Sequence, residues 1–532
     1  MTGKMTAWRC AVLSLVVACG IGLRFYGVSQ VFQWSDENWA FNERVYANPP
    51  QPVFDFAFWV QRESGNFKWG WPAIVWATCR IFGGTIGIAR APSAIAGGAA
   101  VLLIFFLVYR LLAERFAGDG FYPAIFAATL AAIAINPLEL SQRTYSYGAV
   151  PALTAALLLA HFAVQRAIAE ANAGNGLLLR AIGLYSVAAS VGVTIHASLV
   201  VVVGVSGVFL AANMLLTRSH RTRAQNIKIL GFACGAAPLF LLALYLTHAD
   251  PRSGYRYYLH QFYHPASYRA IVPLIKHAYD LCVYQVNLFY NTSLYWPERL
   301  NPVLLPLVLV CLLGWTLAAF GRFGPAVRQL AWMGITLVAL LAVLSTSIFR
   351  YFPFGGLRQT IFLSPLFLSF TALGFWSLRG NSIARAAGIL IGVSYLAMWG
   401  INLPRFYQER AATYSTADIV DTWKTNGKLP LYCWTCYDEI RYAVKGYPDI
   451  PVTAIENGRL PQAPYFLVLT LGPLEPRYSY FSYFGVVPPL LAEAGQKATN
   501  VMERPAAHQD GWKCRCLYFP PDGLWMYRVE AK

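Results

Sequence analysis

Long apolar stretches recur from Trp8 to Leu403, and they constrain the fold more than any other feature of this chain. A helix needs about 20 apolar residues to cross a bilayer. In that medium each backbone N–H and C=O must be satisfied within its own segment, so the stretches are predicted to be helices. Roughly eleven are found by length and hydropathy. They lie near Trp8–Phe25, Ile88–Leu111, Phe121–Ile135, Tyr147–Gln165, Ala181–Ile195, Ser198–Leu216, Ile229–Leu246, Pro302–Phe320, Leu330–Thr346, Thr360–Leu378 and Ala386–Leu403. Hydrophobic residues make up 57% of the chain and charged residues 13%, against about 25% charged in soluble proteins. A soluble globular enzyme is thereby excluded. Met5–Phe25 lacks a small-residue cleavage site and reads as a retained anchor, not a removable signal.

The net charge of +17 is unevenly placed. Lys4, Arg9, Arg110, Arg166, Arg218, Arg328, Arg379 and Arg385 fall in or beside short loops on one side of the predicted bundle. By the positive-inside rule that side faces the cytoplasm, with the N-terminus. These cations suit topology and anionic lipid, not nucleic acid. The Tyr26–Gly87, Thr247–Asn301 and Ser347–Gln359 loops and everything after Pro404 are then expected outside. The expected localisation is the cytoplasmic membrane, multi-pass, with chemistry on its outer face.

Residues 1–403 are expected to form the transmembrane domain and 404–532 a small extracytoplasmic α/β domain. In the latter, Ala417–Lys424 reads as a helix and Leu429–Cys433, Tyr465–Thr470 and Leu524–Val529 as strands. Of ten cysteines, Cys433, Cys436, Cys514 and Cys516 fall in this segment and are disulfide candidates in an oxidising exterior. No internal repeat is visible, and the large loops are asymmetric, which argues against a two-halved transporter. A lipid or solute flippase, or a non-catalytic envelope-assembly subunit, stands as the alternative reading.

Ser35-Asp36-Glu37 places two adjacent carboxylates just after the first span. Either could serve as a base toward an acceptor hydroxyl or amine within hydrogen-bond reach. Capping of a short interfacial helix over Glu37–Tyr46 is the plainer account of the same residues, and both can hold together. Lys68, Arg143, Arg350 and Arg358 are cations on the expected outer side, against the topology rule. A lipid phosphate is the natural partner, with Arg suited to a bidentate grip and Lys to a point contact. Headgroup snorkelling is the plainer account. Arg24, Tyr145 and Gln359 are candidate substrate contacts. So are Tyr263 and His264, in an aromatic loop over Tyr255–Trp296 suited to a sugar or a prenyl chain. His260, His264 and His277 lack metal-ligand spacing; no cofactor is indicated, and a divalent metal stays open. No phosphate-binding Gly-rich loop or nucleotide fingerprint is present, so a donor would have to arrive already activated in the membrane.

Four stretches carry a resemblance to a known family. They are Arg24 with Asp36-Glu37; Gly70-Trp-Pro72 through Ile81-Phe-Gly83 and Ala89-Arg-Ala-Pro-Ser-Ala94; Asn136-Pro137 with Ser141-Gln-Arg-Thr-Tyr145; and Tyr351-Phe-Pro-Phe354 with Leu357-Arg-Gln359 and Pro365. In this order the chain resembles the polytopic GT-C glycosyltransferases, in the branch of aminoarabinose transferases, protein O-mannosyltransferases and Rgt-type lipopolysaccharide sugar transferases. The resemblance implies an inverting transfer of a sugar from a polyprenyl-phosphate donor to a cell-envelope acceptor. Asp36 would then be the base, with Glu37 supporting it. Lys68 would grip the donor phosphate, although the Lys-Pro-Pro or His-Pro-Pro run of relatives is replaced here by Lys-Trp-Gly-Trp-Pro.

Overall fold

The structure, a computed structural model, describes residues 6–29, 70–83, 85–113, 120–169, 175–196, 198–216, 304–344, 360–410, 416–434, 440, 444, 447–455, 459–469, 487–505 and 523–531. They divide into two units, one holding the helices up to Ile401 and one holding residues 27–29 together with those from Asn402 onward.

The first unit is built from α1 (Ala7–Phe25), α2 (Gly70–Phe82), α3 (Ile86–Ala113), α4 (Phe121–Ile133), α5 (Ile135–Ser141), α6 (Val150–Ala169), α7 (Asn175–Ile195), α8 (Leu199–Leu216), α9 (Leu305–Ala319), α10 (Pro325–Leu344), α11 (Ser364–Ser377) and the part of α12 (Ser382–Arg410) up to Ile401. Among the described residues, six helices are long and apolar enough to cross a membrane, and α4 with α5, bent by 58°, is apolar and long enough only as a pair. The stretches expected at Ser198–Leu216, Pro302–Phe320 and Leu330–Thr346 are shorter apolar helices. The stretch at Ile229–Leu246 lies outside the described residues. Helix α2 falls inside the segment read from sequence as the first outer loop. Its 13 residues are too few for a spanning window.

Chain direction gives the bundle two distinct ends. The guanidinium of Arg9, near the start of α1, lies 5.2 Å from the Phe121 ring centroid at the start of α4. Tyr122 stacks on Trp376 near the end of α11 at 6.5 Å, and Arg379 covers Trp376 at 3.6 Å. Arg9, Arg379 and their aromatic partners thus share one end of the bundle. The opposite end holds the C-terminus of α1 and the α4–α5 bend. Helices α9 and α11 pack closest where glycines face backbone. A Cβ at Gly314 would strike the Phe370 carbonyl, and one at Gly374 the Val310 carbonyl. Small residues at such crossings let backbones approach where lipid gives no hydrophobic drive to association.

A second polar group is buried within the bundle. His161 Nδ1 lies 2.8 Å from Ser206 Oγ, and its Nε2 lies 2.8 Å from Gln165 Nε2. Tyr185 donates to Ser206 Oγ at 3.0 Å. Both ring nitrogens are engaged, and the network ties α6, α7 and α8 together, as polar groups between transmembrane helices do.

The second unit carries a five-stranded sheet of order β2-β1-β3-β5-β4, from β1 (Leu431–Cys433), β2 (Val452–Ala454), β3 (Tyr465–Leu469), β4 (Gln496–Pro505) and β5 (Gly523–Ala531). β1 runs parallel to β2 and β3, and β5 antiparallel to β3 and β4. Phe466, Val468 and Met526 pack with Ile419, Val420 and Trp423 of α13 (Thr416–Thr425). Tyr465, Leu467, Leu469 and Trp525 pack with Val487 and Leu491 of α14 (Val487–Glu493). Covered on both faces, β3 is apolar throughout, as central strands are.

Candidate active site

The bend between α4 and α5 starts from Pro137. Without an N–H it cannot donate to the Ile133 carbonyl, and the two helices meet at 58°. Opening the ladder in an apolar medium leaves carbonyls that need other donors. Arg24, near the end of α1 and 1% exposed, supplies them. Its Nη2 donates to Ala131 O at 3.0 Å, and Nη1 to Ala132 O at 3.2 Å and Gly20 O at 2.8 Å. A cation at a helix C-terminus also complements the macrodipole. Gly97 of α3 makes room: a Cβ there would lie 2.6 Å from both Arg24 Nε and Ser141 Cβ.

The return contact comes from Gln142, just after α5. Its Nε2 donates to Tyr26 O at 2.9 Å and to Leu23 O and Arg24 O at 3.2 Å each. These are carbonyls at the C-terminal end of α1, past Gly22, whose carbonyl accepts from Tyr26 N at 2.8 Å. Arg24 and Gln142 therefore cap each other's helices.

Residues 142–149 follow as a tight loop with a single 3-10 turn at Ser146–Gly148. Side chains of α2 and α3 hold its carbonyls. Trp71 Nε1 donates to Thr144 O at 2.7 Å, and Ser93 Oγ donates toward Tyr145 O at 3.1 Å and Leu140 O at 3.3 Å. Arg143 is 3% exposed and pairs with Glu139, one turn earlier, at 3.4 Å. Tyr145 meets Tyr147 edge to face at 5.9 Å. Tyr147 lies 4.8 Å from the ring of His196 in the α7–α8 hairpin. Ser198 N–H donates to His196 Nδ1 at 3.2 Å, so this nitrogen acts as an acceptor.

Of the residues singled out in the sequence, Arg24, Arg143 and Tyr145 thus lie at one end of the helical unit. Arg24 is a candidate substrate contact in the sequence. Its guanidinium is buried against helix carbonyls, where it serves the bend. Asp36, Glu37, Lys68, Arg350, Arg358, Gln359, Tyr263 and His264 lie outside the described residues. Cys433 is a buried free thiol in the core beneath α13. Cys436, Cys514 and Cys516 lie outside the described residues. Gln142, Trp71, Ser93, Tyr147 and His196 were given no role by sequence reasoning. Gln142, Trp71 and Ser93 stood inside two of the quoted stretches, the one available signal. Among the described residues, no group of His, Cys, Asp and Glu side chains is placed to hold a metal ion.

Apolar helices long enough to cross a membrane, together with a small mixed sheet after the last of them, define a polytopic membrane protein of the GT-C fold. No protein-family model matches the chain, and no curated protein does. Among solved structures it is similar to the apo oligosaccharyltransferase of Archaeoglobus fulgidus, with TM-score 0.52 and 12% identity over 94% of this chain and 74% of that one. The same archaeal enzyme in complex with an inhibitory peptide and a dolichol-phosphate gives TM-score 0.50 and 13% identity over 93% and 73%. ArnT from Cupriavidus metallidurans bound to undecaprenyl phosphate gives TM-score 0.46 and 15% identity over 96% and 97%. At these identities the likeness is one of fold.

Proposed function

We propose that this protein is a membrane glycosyltransferase that moves a sugar from a polyprenyl-phosphate donor to a cell-envelope acceptor at the outer face of the cytoplasmic membrane. The observation that carries this reading is the archaeal oligosaccharyltransferase fold running through 94% of this chain. It is supported by the buried Arg143 loop, held beside the end of α1 that leads toward Asp36. One of the neighbouring structures holds a dolichol-phosphate, a carrier of the proposed donor class.

In this reading Asp36 takes the proton from the acceptor hydroxyl or amine as the acceptor attacks the anomeric carbon, with Glu37 orienting the acceptor. The bond from that carbon to the phosphate oxygen breaks with inversion. Polyprenyl phosphate departs with the electron pair. Lys68, Arg143, Arg350 and Arg358 stabilise the negative charge that grows on it, as preorganised donors do at a developing oxyanion. Tyr145, Gln359, Tyr263 and His264 line the path of sugar and acceptor, and residues 404–532 form the extracytoplasmic domain. Arg24 is left out of the chemistry because of its place among helix carbonyls.

The test is to incubate purified protein with a panel of polyprenyl-phosphate sugars and envelope acceptor extracts, following donor consumption by mass spectrometry. Consumption of one donor with an acceptor-dependent product supports the reading. An intact panel under conditions where the protein is folded overturns it.

A further inference from the structure

We infer that Gln142 is a positioning residue, which holds the exit of the first membrane helix in register with the loop that presents Arg143. The inference rests on the glycosyltransferase reading and deepens it. Gln142 and Arg143 are consecutive on the main chain, so anything bound to the Gln142 amide is tied to the cation next to it. What the amide binds is the end of α1, through Tyr26 O at 2.9 Å and Leu23 O and Arg24 O at 3.2 Å. One amide nitrogen carries two hydrogens. The shortest contact takes one, and the two longer contacts share the other. Tyr26 stands ten residues before Asp36 in the sequence. The same amide therefore ties the last residues of α1, which precede the proposed base along the chain, to the loop of the proposed phosphate contact.

Two further anchors hold the loop to α2 and α3. Trp71 holds Thr144 O, and Ser93 holds Tyr145 O and Leu140 O. Arg24 ties α1 to the end of α4, one helix away from the loop. Loss of the Gln142 amide should leave bundle and loop in place while loosening the exit of α1. A displacement on the 1 Å scale far from the chemistry costs on the order of 10²-fold in rate, so the expected signature is a kcat effect and not a binding effect.

Gln142→Met preserves shape and removes both N–H donors. Hydrogen–deuterium exchange on the full-length protein should show faster exchange over residues 22–29, with 143–149 unchanged. Ser93→Ala, which loosens the loop by another bond, should leave 22–29 as in wild type. Transfer by Gln142→Met should fall roughly tenfold or more in kcat, with the donor KM within about threefold of wild type. Where the Met variant fails to fold, Gln142→Asn is used; it keeps the amide but withdraws it by one methylene. Unchanged exchange at 22–29 overturns the inference, and so does faster exchange there with kcat intact. A wild-type protein inactive toward every donor sinks the glycosyltransferase reading and, with it, the catalytic part of this inference; exchange at 22–29 still decides the clamp.

Discussion

Arg143 Nη2 lies 3.4 Å from Glu139 Oε1, across one turn of the segment that leads out of the α4–α5 bend. The pair is largely withdrawn from solvent, with side-chain exposures of 4% and 19%. A carboxylate so placed lowers the positive potential that Arg143 presents to an anion. Two charges about 10 Å apart at an effective dielectric near 20 interact by roughly 1.7 kcal/mol. Glu139→Gln is therefore expected to lower the donor KM, by on the order of tenfold at low salt and less at physiological salt. A KM that is unchanged or higher in this variant argues against Arg143 as a phosphate contact.

The proposed base is open to a direct check. Asp36→Asn keeps size and polarity but cannot accept the acceptor's proton. Transfer should fall by about 10²–10⁴-fold, the usual contribution of a positioned base. Expression, detergent stability and donor binding should stay as in wild type. Full activity in this variant removes Asp36 from the mechanism, whatever becomes of the fold assignment.

Arg24 is expected to matter for stability. Arg24→Met leaves the Ala131 and Ala132 carbonyls without this donor inside the bundle, where each unsatisfied polar group costs about 1–3 kcal/mol. A loss of about 2 kcal/mol or more should appear as a lower melting temperature in detergent. At a temperature where the variant is folded, the donor KM should match wild type. A KM defect without a stability defect would restore Arg24 as a substrate contact.

The pH response of the sheet unit follows from Tyr465, which is fully buried and bonded to Gln496 at 3.0 Å. Burial pushes its hydroxyl well above the ordinary tyrosine value, and Tyr432 beside it pushes the same way. An acid whose folded pKa is raised holds its proton more tightly in the folded state. Its contribution is fully present below the unfolded value near 10 and is lost as the pH rises beyond it. Circular dichroism of the strands should therefore show lower stability above about pH 10, and less so in Tyr465→Phe. Equal alkaline sensitivity in both proteins would exclude Tyr465 as the source.

Much of the helical framework could be read in advance, because a spanning helix satisfies its own backbone and carries its signal within one window of sequence. Trp8–Phe25, Ile88–Leu111, Tyr147–Gln165, Ala181–Ile195, Thr360–Leu378 and Ala386–Leu403 each match a long apolar helix. Helix α2 went unread because its 13 residues sit among loop residues rich in Trp and Gly. In the second unit, α13, β1, β3 and β5 were legible from apolar runs between turn residues. The three residues of β2 and the polar β4 were not, since an edge strand is made by its partner's hydrogen bonds more than by its own composition.

The sequence alone determined the medium and the class. Recurrent apolar windows with few charges demand self-bonded helices in lipid, and the ordered motifs marked the fold family. The tertiary structure decided what the individual polar residues do. Arg24 reads as a candidate substrate contact and Arg143 as a phosphate contact; in the structure one caps the neighbouring helix and the other pairs with Glu139 in a braced loop. Cys433, a disulfide candidate in the sequence, lies in the core of the sheet unit. The physical reason is that a buried polar group takes its role from the donors and acceptors around it. For Arg24 and Gln142 those partners lie more than a hundred positions away along the chain.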